Sequence, residues 1–259
     1  MIADNILLAA KPYLEGHTVT DIVVGIALIA VELDHDKVGV SYMLRDGLPS
    51  GCGSFSFVKE SLGKPALEVA QLLKTGTDNA QRGLACAVLD AASLYKDLEF
   101  CDTSKTPFGI TIHEGDKVAM IGYMAPVAKQ FAGKIDSLTV FDMGMEANGS
   151  DEVCPVAKQP EVLAQADIII ASGTTSINGT LDSLLSMAKN CREFVLIGTS
   201  TPMFPEAFED TGITSLGGCW WDSKEKEQIF RNISLGAGIK ANKQYRRNKC
   251  VRVAGAPTA

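Results

Sequence analysis

One stretch constrains the fold of this chain more than any other. Residues 167–180 read Asp-Ile-Ile-Ile-Ala-Ser-Gly-Thr-Thr-Ser-Ile-Asn-Gly-Thr and continue into Leu181-Asp182-Ser183-Leu184-Leu185. The unbroken apolar run 168–171 reads as a strand buried on both faces of a parallel sheet. Ser172 and Gly173 end it, a cluster of small polar residues follows, and Leu181, Leu184, Leu185 and Ala188 then recur at helical spacing. Strand, small-residue turn and helix make a βα turn. Such turns form the carboxyl edge of an open α/β sheet, where ligands bind. Thr174, Thr175, Asn178 and Thr180 bring hydroxyl and amide groups to that edge. The helix start adds unpaired N–H groups suited to an anion or a carbonyl.

The same alternation runs through the second half. Strands are expected at 117–121, 138–141, 168–171, 194–197 and 213–216, with helices from Pro126, over 160–166, from Thr180, from Pro205 and over 223–235. Strand and helix in strict alternation mean a parallel, doubly wound sheet with right-handed crossovers. The first half differs. Residues 4–14 are helical, with Ile6, Leu7, Ala10 and Leu14 on one face. Residues 18–24, 26–33 and 38–44 are rich in Val and Ile and read as strands, the last two forming a hairpin around Asp34-His35-Asp36-Lys37. A loop of breakers spans 45–53, Pro65 opens a helix to 73, and Thr77 or Asp78 caps a longer one through 94. The expected architecture is α/β in two domains: an α+β domain over 1–105 and a Rossmann-like parallel-sheet domain over 106–259. The boundary is placed in the polar stretch 96–116.

Composition narrows the function. An apolar share of 46% fits a soluble globular protein. The longest apolar stretch, 22–31, is too short to span a membrane and runs into Glu32. The opening Met-Ile-Ala-Asp-Asn lacks the plan of a signal peptide, so a cytoplasmic location is expected. A net charge of −7 argues against nucleic-acid binding. The one basic cluster, 240–252, reads as a solvated C-terminal tail. Seven cysteines include no CxxC pair, and His17, His35 and His113 are isolated, so no metal-ligand spacing exists. Cysteines are expected to be reduced and mostly buried. A nucleophile elbow is absent, and Gly51-Cys52-Gly53-Ser54 lacks the lysine of a phosphate loop.

What remains is a binding edge. Strand ends carry Gly122 with Tyr123, then Asp142, then Gly173 with Thr174, then Gly198 with Thr199 and Ser200. Gly122 and Asp142 are spaced like the glycine turn and ribose-binding acid of a dinucleotide fold. The full Gly-x-Gly-x-x-Gly is missing, which disfavours a pyrophosphate. A mononucleoside-type ligand such as S-adenosylmethionine needs no such turn. Asp142 could equally cap a local turn, and the Thr and Asn side chains could cap a helix. Two polar turns at neighbouring strand ends exceed what capping needs and favour a site. In the first half Tyr42, Arg45, Asn79 and Arg82 are the polar groups of interest. A solvated charge is the default for Arg82, yet Arg45 or Arg82 could meet an anionic ligand if the halves close on each other. No catalytic residue, cofactor or metal ligand is assigned.

The segments 173–182 (Gly-Thr-Thr-Ser-Ile-Asn-Gly-Thr-Leu-Asp) and 196–202 (Leu-Ile-Gly-Thr-Ser-Thr-Pro), with 118–122, 140–142 and 216–218, resemble those of a prokaryotic family described by heavy-metal chelation. The resemblance covers nearly the whole chain. It implies an enolase-N-terminal-like α+β cap on a Rossmann-like domain, with the active site between them. It also implies a heavy-metal or metal-chelate handling role. Three functions therefore stand open: a small-molecule enzyme or binding protein acting on an anionic or nucleoside-type ligand in the interdomain cleft, a metal-handling protein, and a non-catalytic binding module. If the second half alone binds as tightly as the whole chain, the first domain serves another purpose, such as dimer formation.

Overall fold

The structure is a computed structural model that describes residues 1–48, 50, 55–103 and 106–255. The glycine-rich segment 51–54 lies outside the described residues. The first half contains α1 (Ile2–Leu14), β1 (Val19–Val24), β2 (Leu28–Leu33), β3 (Lys37–Tyr42), α2 (Ser56–Ser61), α3 (Ala66–Ala70), α4 (Leu72–Thr75) and α5 (Asn79–Ser93). The second half contains β4 (Lys117–Ile121), α6 (Ala125–Phe131), β5 (Ser137–Phe141), α7 (Met143–Ala147), α8 (Gln159–Leu163), β6 (Ile168–Ser172), α9 (Thr174–Ile177), α10 (Leu181–Met187), β7 (Glu193–Ile197), β8 (Ser215–Trp221), α11 (Lys226–Ser234) and β9 (Arg246–Arg252). Most of these follow the sequence periodicity. The helix expected from Pro205 is a single turn of 3-10 helix, Pro205–Phe208.

β1, β2 and β3 form an antiparallel sheet in sequence order, and the larger sheet has the order β5-β4-β6-β7-β8-β9. Its first five strands are parallel, while β9 runs antiparallel to β8. The basic cluster 240–252 is thus not a solvated tail, because its second half is a sheet strand. Cys250 and Val251 on β9 are buried against β8, while Arg247 and Asn248 reach solvent. The burial does not alternate: the first part of this edge strand lies toward solvent and its last part enters the core.

Each face of the parallel sheet carries its own apolar layer. Val118, Met120, Ile168, Ile170 and Val195 pack with Val127 and Phe131 of α6 on one side. Ala119, Ile121, Ile169, Ala171, Phe194 and Leu196 belong to the other side. That second layer is continuous with the core of the first half, including Leu14 of α1 and Leu84 and Val88 of α5. The small sheet is also covered twice. Ile29, Val31 and Leu33 face the shared core, whereas Leu28 and Ala30 pack with Trp221 of β8 and with Ile229, Phe230 and Ile233 of α11. All six residues of β2 are buried for this reason. The two halves interlock: α11 belongs to the second half by sequence but roofs the sheet of the first. Gly39 shows how tight the packing is. A Cβ built there would lie 2.2 Å from both Ala87 O and Ala91 N of α5.

Candidate site at the strand switch

The carboxyl ends of β4 to β7 share one edge of the large sheet, and strand order decides which turns leave room. β4 has β5 on one side and β6 on the other. The chain therefore leaves β4 in one direction and later returns past it in the other. The turns after β4 and β6 diverge, and the crevice between such turns is where open α/β sheets take ligands. The parallel strands follow the order 2-1-3-4-5 among themselves, one of the two common doubly wound orders.

Gly122 ends β4 in the left-handed region at φ +84°, and a Cβ placed there would meet the Ser172 Cβ of β6 at 3.0 Å. Glycine is required twice over, for the backbone angle and for the close approach of Ser172. Asp142 ends β5 and caps α7. Its Oδ1 accepts from Met145 N–H and its Oδ2 from Tyr123 N–H, both at 2.9 Å. The carboxylate thus ties the β4 turn to the β5 turn, which fits the capping reading, yet each oxygen keeps a second lone pair. Tyr123 is 46% exposed and Met143 57% exposed, so two large side chains on these turns remain uncovered.

The β6 turn spends much of its polarity on itself. Thr174 Oγ1 donates to Ser172 Oγ at 2.9 Å, and the buried Thr175 donates to Ser172 O at 2.8 Å. Asn178 Oδ1 accepts from both the amide and the hydroxyl of Thr180 at 3.1 and 2.8 Å. Its NH₂ group is left free among the described residues. α9 has only four residues, so no helix dipole of consequence points into the crevice. α10 starts at Leu181, and Thr180 precedes it without a side-chain cap.

The β7 turn is a clasp. Thr199, Ser200 and Thr201 are buried. Thr199 Oγ1 donates to Val40 O at 3.2 Å, and Tyr42 N–H donates to Ser200 Oγ at 2.8 Å. The turn thereby fastens the edge of β3 to the large sheet. It also abuts the β6 turn: a Cβ on Gly173 would sit 2.6 Å from Thr201 N. Gly198 opens the clasp at φ +129°. Under it, Asp90 of α5 is buried. Its Oδ2 accepts from Val40 N–H at 2.8 Å, while Oδ1 has no partner. Burial pushes this carboxyl well above its usual range.

The two arginines are engaged elsewhere than with a ligand: Arg82 with main-chain carbonyls, Arg45 at another cavity. Arg82 is a half-buried bracket that donates to Ile177 O of α9 at 2.5 Å, to Gly76 O at 2.8 Å and to Asn79 Oδ1 at 2.9 Å. Arg45 lines a separate cavity of about 750 Å³ with Ile22, Val24, Met43 and Val58, to which none of the turn residues contributes. The bracketing role of Arg82 had no sequence signal, because its partners are main-chain carbonyls of distant segments.

Two family models, both described as "Putative heavy-metal chelation", match residues 8–93 and 106–252. An uncharacterised protein of Methanocaldococcus jannaschii is 32% identical over 143 residues, and the match takes in 54% of this chain and 54% of that protein. The chain therefore matches about half the length of that relative. Two crystal structures of proteins of unknown function share the fold. One, from Pyrococcus horikoshii, has a TM-score of 0.80 at 24% identity and covers 98% of this chain and 100% of its own. The other, from Desulfitobacterium hafniense, has a TM-score of 0.78 at 18% identity and covers 97% of each chain. The crevice does not fit the family description. Its donors are hydroxyls, an amide and a carboxylate already holding two N–H groups, whereas heavy metals favour thiolates. Among the described residues no group of three or more His, Cys, Asp or Glu side chains could hold a metal. No helix among them is long and apolar enough to cross a membrane. The longer family match alone takes in more than half of the sequence, so the chain belongs to the family described as "Putative heavy-metal chelation".

Proposed function

We propose that the protein binds a nucleoside-type small molecule in the crevice between the turns after β4 and β6. One observation carries the reading: the strand order reverses at β4, where Gly122 turns the chain and an acid, Asp142, ends the adjacent strand. This is the relation in which doubly wound folds hold a ribose. Asp142 has lone pairs left for ribose hydroxyls, Tyr123 offers an exposed ring for a base, and the Asn178 NH₂ offers a donor. With Arg82 committed to carbonyls and Arg45 lining another cavity, a nucleoside fits better than a phosphate. The first half supports such a site from behind, by bracketing α9 through Arg82.

Calorimetric titration with adenosine, S-adenosylmethionine and adenosine monophosphate tests this. Tyr123→Ala should weaken binding of the best of these by about 1–3 kcal/mol, the worth of one stacked base. Gly122→Val should abolish binding by forcing the turn after β4 away from Ser172. Wild-type affinity in both variants, or no binding of any of the three ligands to the wild type, refutes the reading.

A further inference from the structure

Cys101 and Cys250 are far apart in sequence, and the fold brings them side by side. Cys101 lies in the connection between the halves, and Cys250 lies on β9. The Cys101 N–H donates to Cys250 O at 2.8 Å. The Cys101 side chain is near enough to the Cys250 thiol to add to the burial that pushes it up. Ser215 Oγ lies 3.2 Å from Cys250 Sγ and donates to Phe108 O at 2.7 Å. Gly109, at φ +65°, passes over the pair: a Cβ there would be 3.1 Å from Cys101 Sγ, so glycine keeps the sulfur uncovered. Cys250 is buried and Cys101 is half-exposed, which gives the pair one open side.

We propose that Cys101 and Cys250 form a two-thiol site for one soft, thiophilic metal ion of the Cu(I) class. Soft thiolates select such ions over hard ones. Two sulfurs on one ion are at most about 4.6 Å apart, twice a metal–sulfur bond of roughly 2.3 Å. Neighbouring residues joined by a backbone hydrogen bond can span that distance. Binding is a substitution without electron transfer: the ion forms two metal–sulfur bonds, both S–H bonds break, and two protons leave to solvent. With a monovalent ion the product carries one negative charge. Arg252 is close, its Cδ 3.6 Å from the point where a Gly109 Cβ would be, and it pairs with Glu193 at 2.8 Å. The ion enters by Cys101. Such a site ties the linker to the last strand of the sheet, and it is independent of the crevice described above.

Full-length protein, reduced and kept under anaerobic conditions, would be titrated with Cu(I) against bathocuproine disulfonate, a coloured chelator. The proposal expects one tightly held equivalent. Cys101→Ser and Cys250→Ser should each lower the affinity by about 100-fold or more, since removing even a supporting group of a metal site costs 10–100-fold. Cys154→Ser should bind as the wild type does. Melting temperature should rise with Cu(I) in the wild type and in Cys154→Ser but not in Cys101→Ser. Cys101 is the more exposed of the pair, so its variant keeps the test valid if Cys250→Ser misfolds. Release of the ion to the chelator by the wild type, undiminished binding in a folded Cys101→Ser, or equal loss in Cys154→Ser overturns the proposal. A 101–250 disulfide that forms in the anaerobic sample in place of metal uptake overturns it as well.

Discussion

Replacing Asp90 with Asn should make the protein more stable at neutral pH, and the gain should grow as pH rises. Asp90 is buried at the junction of α5, β3 and the Thr199–Thr201 clasp, with one oxygen paired and the other without a partner. Around it are Cys86, one turn earlier on α5, whose thiol burial pushes up to about 12, and Cys219 of β8, also pushed up by burial. Neither carries a charge at neutral pH. Burial raises the Asp90 carboxyl above its ordinary value of 3.8, so the folded protein keeps a proton that the unfolded chain has released. Between the unfolded and the raised folded pKa the folded state binds more protons, and stability falls as pH rises. The slope is about 1.4 kcal/mol per pH unit while the folded carboxyl stays protonated and the unfolded one is ionised. Asn has the same shape and no charge in either state, and its carbonyl oxygen can keep the bond from Val40 N–H. The stability advantage of Asp90→Asn over wild type should therefore widen from pH 5 to pH 7, by up to about 1.4 kcal/mol per pH unit. Urea unfolding at pH 5, 6 and 7 measures it. A difference independent of pH would show that Asp90 titrates alike in both states, and a less stable variant at pH 7 would show that its ionised form is held by a partner.

Two further substitutions probe the joints of the fold. Gly39→Ala places a methyl against Ala87 O and Ala91 N, main-chain atoms that cannot turn aside, and should cost 3 kcal/mol or about that, the upper range for overpacking, read as a lower urea midpoint. Arg82→Ala leaves the carbonyls of Ile177 and Gly76 without their donor and should cost about 1–3 kcal/mol. Hydrogen exchange should also quicken across α9, and unchanged protection there would mean that the bracket does not support that turn.

The periodic parts of the fold were open to sequence reasoning, and the contacts between distant segments were not. The run 168–171 marked β6 because a strand covered on both faces has no polar side to show. β9 was hidden because an edge strand may keep Arg247 and Asn248 in water while burying only Cys250 and Val251, and a basic segment reads as tail. The candidate crevice was legible in part. Gly122, Asp142 and the turn from Gly173 could be placed at one sheet edge, but strand order alone tells which turns diverge. Thr199 and Ser200 looked like binding groups for the reason that makes them good fasteners: short hydroxyl side chains reach main-chain groups of an adjoining strand. The Cys101–Cys250 pair gave no local spacing, since it is made by tertiary structure.

The interlocked core bears on how the chain is made. α1 leaves the ribosome well before the surfaces it covers. Tyr13 packs on Phe204 with ring centroids 5.9 Å apart, and the Ile2 amide donates to Asp182 Oδ1 at 3.0 Å. At synthesis rates of ~5–20 residues per second, α1 waits roughly 10–40 s for Phe204 to emerge. Until then Ile6, Leu7, Ala10 and Leu14 have only the nascent first half to cover them. The sheet of that half waits longer still for α11. The emerging chain is a client for whatever shields apolar surface at the tunnel exit, and ribosomes that stop before α11 release a product with Leu28 and Ala30 uncovered.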